Sequence, residues 1–426
     1  MHPRKLYVET TTRCNMQCGM CVKQAPGSDI SDKHLDFQLF QRLMPSFPKL
    51  EALVLNGIGE PLLHPQLLDM VSVAAKCMDR NCWIGFQTNG LLLSKDITEK
   101  LLAAGLSRLC ISVDNEMAEH PCGNHLLHQF HQQHSRIAMA RQICNSQGYE
   151  DVRLGAEIVL TRQTLPQLPE LIRRLANEGV DFIIGSHLLA YHREAEKETI
   201  FISSTDEARN IYQKWQAIAA AEGLNIAGLT AKTWIAPRYE EEHRLQQLYR
   251  QMLAEAGEKN IWLNVQKLAL LDNREFLVWQ DYITEAEKTA DRFGVEISLP
   301  PLSASTKRNC RFIEDNATFI DVEGSVMPCH PLWHTQTFYM DGEAKKLERR
   351  SFGSIRDQDL ITLWNNREYR EFREAAMSYD YPFCHSCSLG PCPDITGETT
   401  PFTNDCFGTA VPCGHCFWCF DGVRCL

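Results

Sequence analysis

Residues 5–21 read KLYVETTTRCNMQCGMC, a short apolar run rich in strand-favouring residues followed by Cys14, Cys18 and Cys21 in a C-x3-C-x2-C spacing. That spacing suits an iron-sulfur cluster. A [4Fe-4S] cube has four irons, so three protein thiolates leave one iron able to bind something else. The chain carries eighteen cysteines in 426 residues. Its opening, MHPRKLYVET, has no apolar stretch of signal-peptide length, and no run of about 18 apolar residues follows, so a cytoplasmic protein that does not cross a membrane is expected. In a reducing compartment such cysteines read as metal or redox ligands rather than as disulfides.

Outward from this stretch, six strand-like segments are spaced through the first 185 residues: KLYVET, EALVLNG, CWIGFQTNG, RLCISVDN, VRLGAEIVLT and VDFIIG. Helical patterns such as LLDMVSVAAKCM, DITEKLLAAG and LPELIRRLANEG separate them, bounded by Gly, Pro, Asp or Ser. The alternation predicts βα units around a parallel sheet, closed by right-handed crossovers into a barrel or part of one. The fold class expected is α/β, a partial (β/α)6 barrel of the TIM type. Ligands collect at the C-terminal strand ends of such folds. The cysteine run follows the first strand, GIGEP the second, TNG ends the third and SVD the fourth. From about residue 191 charged, helix-favouring sequence takes over, and after Pro300 and Pro301 the cysteines return. Three regions are therefore expected: 1–190 as the core, 191–303 as a helical connector and 304–426 as a cysteine-rich domain. With 43 Lys and Arg against 54 Asp and Glu, the net charge of −11 argues against a nucleic-acid partner held by phosphate contacts.

Taken in order, the C-x3-C-x2-C run, Gly57-Ile58-Gly59-Glu60-Pro61, Thr88-Asn89-Gly90 and Ser112-Val113-Asp114 resemble the radical S-adenosylmethionine (radical SAM) superfamily. Met20 stands where that family more often has an aromatic, and the turn reads GIGE rather than GGE. The resemblance implies that Cys14, Cys18 and Cys21 hold a [4Fe-4S] cluster whose fourth iron is chelated by SAM. Met20, Gly57, Gly59, Glu60, Asn89, Ser112, Asp114 and Glu157 are then the candidate SAM-binding residues. Glycines at 57 and 59 would let backbone carbonyls approach the ligand. A carboxylate at Glu157, inside a strand-like segment, would be costly in a barrel interior unless it were paired. For each single polar residue the plain alternative is a strand-end turn or cap.

Ten of the eighteen cysteines lie between Cys310 and Cys425. Cys310, Gly324 and Cys329, then SFGSIRDQDLITLW, then Cys384-His-Ser-Cys387-x4-Cys392 resemble a SPASM domain, a C-terminal module with auxiliary clusters. By that resemblance Cys310 and Cys329 serve one cluster and Cys384, Cys387 and Cys392 another, with one or two auxiliary [4Fe-4S] clusters in all. The pattern departs after Cys392, and Cys406, Cys413, Cys416, Cys419 and Cys425 are candidates to complete either set. A tetrahedral zinc site made from four of these thiolates is the alternative. Cys77, Cys82, Cys110, Cys122 and Cys144 read as buried small hydrophobes. Five histidines between His120 and His134 form either a solvated helix face or a transient metal-binding one.

Enzymes of this resemblance most often act on proteins or peptides, using reduced ferredoxin or flavodoxin as electron donor. The tail NDCFGTAVPCGHCFWCFDGVRCL resembles metalloenzyme maturases, particularly those associated with tungsten-dependent aldehyde oxidoreductases. The function expected is reductive cleavage of SAM and hydrogen abstraction in maturation of a partner metalloenzyme or its cofactor. Ribosomal-peptide or sulfatase-type modification is the alternative enzyme, and an iron-sulfur carrier or scaffold the alternative outside catalysis. His330 stands where sulfatase maturases carry an acidic proton acceptor, so it is the candidate acid or base.

Overall fold

The computed structural model describes residues 1–113, 125–229, 237–385, 387, 403–414 and 416–426, with the backbone alone at 125–134 and 228–229. Asp114, Cys122, His120 and Cys392 lie outside the described residues, and the side chains of His125, His128, His131 and His134 do too.

All six expected strands form. They are β1 (Lys5–Val8), β2 (Ala52–Val54), β3 (Trp83–Thr88), β4 (Arg108–Ser112), β5 (Arg153–Leu160) and β6 (Phe182–His187). Each is parallel to the next, in chain order. Their near-continuous apolar runs reflect burial on both faces, as a parallel sheet covered by crossover helices requires. The crossovers carry α1 (Phe37–Gln41), α2 (Leu67–Cys77), α3 (Lys95–Ala104), α4 (His125–Gln147) and α5 (Leu168–Glu178). Local chemistry sets their ends: Ser94 accepts a hydrogen bond from the Ile97 amide to cap α3, and Gly105, at φ 104°, closes it in the left-handed region that glycine adopts readily.

Past β6 the chain adds β7 (Ile202–Thr205), β8 (Glu296–Ser298), β9 (Ser303–Ala304), β10 (Ala317–Ile320) and β11 (Val326–Met327). β8 extends the sheet beside β6, while β10 pairs in parallel with the outer edge of β1 and β11 turns back against β10. The result is a nine-stranded sheet. The cysteine-rich segment that composition sets apart thus supplies strands to the core sheet, covering the edge that β1 would otherwise expose. Region 191–303 contains α6 (Asp206–Ala221), α7 (Glu240–Glu258), α8 (Val265–Leu270) and α9 (Asn273–Phe293), besides β7 and β8. α6, α7 and α8 build a second core around Tyr212, Leu248, Met252 and Leu268, while α9 packs on α5. No helix among the described residues is long and apolar enough to cross a membrane.

At the end of β6, buried His187 holds the Pro301 carbonyl oxygen through Nε2 at 2.8 Å and packs against Phe201 and Phe417. Burial pushes its pKa down from 6.5 to about 4. The unfolded chain therefore takes up this proton first, and stability falls as pH drops from about 6.5 towards 4, by at most about 1.4 kcal/mol per unit. Urea unfolding at pH 7 and pH 5 checks this, since His187→Gln should remove that part of the pH dependence.

Candidate active site

The segment from Glu9 to Leu35 leaves the C-terminal end of β1 and returns to it, with Leu35 N donating to Thr10 O and Thr12 N to Lys33 O. Cys14, Cys18 and Cys21 stand on this loop, all half-buried. The loop is tied internally by Cys21 N to Cys18 O at 3.0 Å, and Met16 N approaches Cys14 Sγ at 3.4 Å. Lys23 donates to Thr12 O at 2.7 Å and pairs with Asp32 beneath the cysteines. Burial raises the pKa of the Cys14 and Cys21 thiols.

The glycine turn after β2 is locked to this loop by backbone alone. Gly59 N donates to Thr11 O at 3.1 Å and Glu60 N to Arg13 O at 2.7 Å. A Cβ on Gly59 would lie 2.5 Å from Thr11 O and press on the Arg13 carbonyl, and one on Gly57 would lie 2.5 Å from Glu9 Cγ. Both positions need a residue without a side chain because two strand ends meet there. Glu60, only 2% exposed, accepts from Thr88 Oγ1 at 2.7 Å, Asn89 N at 2.8 Å and Leu62 N at 3.1 Å. Burial raises its pKa against these hydrogen bonds. Its carboxylate thereby fastens the turn after β2 to the turn after β3. Asn89 reaches back to Asn15 Oδ1 at 2.8 Å, with Nδ2 4.0 Å from Cys14 Sγ. Three strand ends are thus bound into one polar floor around the cysteine loop, and half-buried Met20 belongs to the same loop.

Across β2 to β5 runs a line of polar side chains: Asn56 to Gln87, Gln87 to Glu157, and Ser112 Oγ to Glu157 at 3.4 Å. Glu157 and Ser112 were expected from sequence, and they share a register position on neighbouring strands. Asn56 and Gln87 were not, although each is a polar residue at the C-terminal end of an apolar strand. The carboxylate that would be costly alone is paired by amide and hydroxyl donors.

Glu9 was also missed. It is 0% exposed and holds His334 Nε2 at 3.2 Å, Ile58 N at 3.2 Å and Val322 N at 3.4 Å. The cysteine-rich segment is thereby fastened to the glycine turn. Tyr191 donates to Gln336 Oε1 at 3.1 Å and lies near Cys21, which adds that segment to the rim of the same region.

His330, the candidate acid or base, sits in a nest of aromatic rings. It is half-buried among Tyr7, Phe312, Phe319 and Trp333, with Nδ1 2.9 Å from Cys425 Sγ. Burial pushes its pKa down to about 3. Cys425, its partner, is pushed up to about 12 by burial. The chain around it threads against the sheet: Gly422 O accepts from His187 N at 2.8 Å, Arg424 N donates to Ser186 Oγ at 3.0 Å, and Tyr7 Oη donates to Leu426 O at 3.0 Å.

The other late cysteines divide. Cys419 neighbours both Cys310 and Cys413 and raises the pKa of each, and Cys329 is raised by burial and by Cys310 and Cys419 near it. Cys416 belongs to the same group, joined by Cys416 N to Cys413 O at 3.1 Å and Cys419 N to Cys416 O at 3.2 Å. Cys384 lies against it, because a Cβ on Gly414 would fall 2.5 Å from Cys384 Sγ. Cys387 is half-buried, and Cys406 is exposed on the turn that Asp405 caps. Among the described residues no set of three His, Cys, Asp or Glu side chains closes on one point as the ligands of a single ion do. Thiolates that share a cube sit on separate irons and need no common point. Cys110 and Cys144 are buried as small apolar groups, and half-buried Cys82 donates to Leu50 O at 2.7 Å.

Residues 8–118 match the radical SAM superfamily, and residues 310–388 match SPASM, an iron-sulfur cluster-binding domain. The chain is a radical SAM enzyme with a SPASM domain, and these domains bring a [4Fe-4S] cluster, SAM and auxiliary iron-sulfur clusters. Over 426 aligned residues, 99% of this chain and 96% of the relative, it is 28% identical to the tungsten-containing aldehyde ferredoxin oxidoreductase cofactor-modifying protein of Pyrococcus furiosus. It is also 28% identical over 181 residues, 42% of each chain, to the pre-heme d1 synthase of Dinoroseobacter shibae. Among solved structures, SuiB of Streptococcus suis bound to S-adenosylmethionine aligns with a TM-score of 0.48 at 12% identity, covering 96% of this chain and 75% of that one.

Proposed function

We propose that this enzyme cleaves SAM reductively and abstracts hydrogen from a substrate in the maturation of a partner metalloenzyme or its cofactor. The observation that carries the reading is the backbone lock between the Cys14–Cys21 loop and the Gly57–Glu60 turn, which sets three thiolates beside a glycine-bearing turn. Those residues suit a cluster with one open iron and an amino acid chelated on it. A cluster held by Cys14, Cys18 and Cys21 would supply the electron for reductive cleavage of the SAM sulfonium.

The chain's own residues hold and shield. Gly57 and Gly59 offer backbone to the ammonium group of SAM, Met20 packs near adenine, and Asn89, Ser112 and Glu157 present polar atoms to ribose or carboxylate. Asp114 belongs to the same candidate set. Glu60 acts by keeping the two turns together. Enclosure by the cysteine-rich segment, fastened through Glu9 and His334, keeps water from the reacting face. In this reading Cys310, Cys329, Cys413, Cys416 and Cys419 supply auxiliary-cluster ligands, with Cys384, Cys387 and Cys392 completing the set, and reduced ferredoxin or flavodoxin delivers the electron. The division into core 1–190, connector 191–303 and auxiliary domain 304–426 belongs to the same proposal.

The similarity to the P. furiosus cofactor-modifying protein along nearly the whole chain supports a maturase acting on a tungsten-dependent oxidoreductase or its cofactor. The test is 5'-deoxyadenosine release by the reconstituted, reduced protein with host extract split by size. Stimulation by the protein fraction is expected, and stimulation by small molecules alone would move the reading to free cofactor precursors.

A further inference from the structure

Arg308 lies outside everything assigned so far. Its guanidinium is held in a fork, Nη1 to Tyr381 O at 2.6 Å and Nη2 to Pro382 O at 2.7 Å, and it stacks on Tyr381 at 4.3 Å and Phe383 at 3.9 Å. These anchors belong to the auxiliary cysteine group. The Tyr381 hydroxyl is 3.4 Å from Cys419 Sγ, and Pro382 O and Cys384 Sγ both press on Gly414, next to Cys413. Arg308 and Cys419 also line one cleft. Tyr381, Cys419, Cys384 and Cys413 are the titratable groups that bear most on Arg308, whose pKa burial lowers.

Among the described residues, two buried groups here also lack hydrogen-bond partners. Arg308 Nε has none, and neither ring nitrogen of His385, a residue 1% exposed between Phe383 and Phe420, has one. Leaving a buried donor unmade costs about 1–3 kcal/mol, so such groups call for an acceptor that arrives with a ligand. The sulfurs of a bound cluster are acceptors of that kind.

We infer that Arg308, supported by Tyr381 and His385, is a positioning and tuning residue that raises the reduction potential of the auxiliary cluster on the Cys310, Cys413 and Cys419 side. A fixed cation and hydrogen bonds to cluster sulfurs favour the reduced, more negative form. This rests on the auxiliary-cluster reading above.

The experiment is an EPR-monitored redox titration of full-length protein reconstituted with iron and sulfide, in a Cys14→Ala/Cys18→Ala/Cys21→Ala background that leaves only auxiliary clusters. If that background takes up no iron, the auxiliary-cluster reading itself fails. If it does, Arg308→Gln should move a midpoint to lower potential at unchanged iron content, while Arg308→Lys, which keeps the charge, should stay nearer the parent. An unchanged midpoint in Arg308→Gln overturns the inference. Should Arg308→Gln fail to load iron, Tyr381→Phe removes only the hydroxyl beside Cys419. A downward shift there supports the inference, and no shift overturns it.

Discussion

Changing Cys14, Cys18 and Cys21 together to alanine is expected to abolish 5'-deoxyadenosine release while leaving a folded protein that still binds auxiliary iron. The three thiols sit on a loop outside the main apolar core, so their loss removes little packing. Three thiolates leave one of four irons open, and no other described cysteine shares the loop. Anaerobic turnover with dithionite, read by chromatography of the nucleoside, checks this. Retained cleavage would remove the mechanism proposed above.

Gly59→Ala carries the second large effect. The added methyl would meet backbone carbonyls of Thr11 and Arg13, which cannot rotate away as a side chain can. The turn must shift from the cysteine loop, breaking the Gly59 N to Thr11 O and Glu60 N to Arg13 O bonds. Overpacking of this kind costs about 1–3 kcal/mol of stability. SAM affinity should fall roughly tenfold or more, since each tenfold is about 1.4 kcal/mol of lost fit. Equilibrium dialysis of the reconstituted protein and thermal unfolding measure the two. Unchanged SAM affinity would mean that the glycine ledge does not face the ligand.

Local features were legible where the chemistry is carried by consecutive residues. The C-x3-C-x2-C loop, the strand before it, the GIGEP and TNG turns and the capped helices follow from periodicity and from residues with restricted or permissive backbones. Glu157 was recognisable because a carboxylate in an apolar strand demands a partner, but the partner was not. Gln87 lies 70 residues away and meets Glu157 only because β3, β4 and β5 stand in order.

The sequence by itself therefore determined a cluster-bearing α/β protein with its cysteine loop and glycine turns at the strand ends, since spacing, alternation and turn residues act over a few positions. Tertiary structure decided which distant groups share a surface. Glu9 and His334 are 325 residues apart, and β10 joins β1 only because β1's edge is open. The meeting of Cys310 with Cys419, the placing of His330 among four aromatic rings and the seat of Arg308 behind Tyr381 have the same cause. Burial and pairing belong to the packed chain, and they set surroundings for a residue such as His330 that its place in the sequence leaves open.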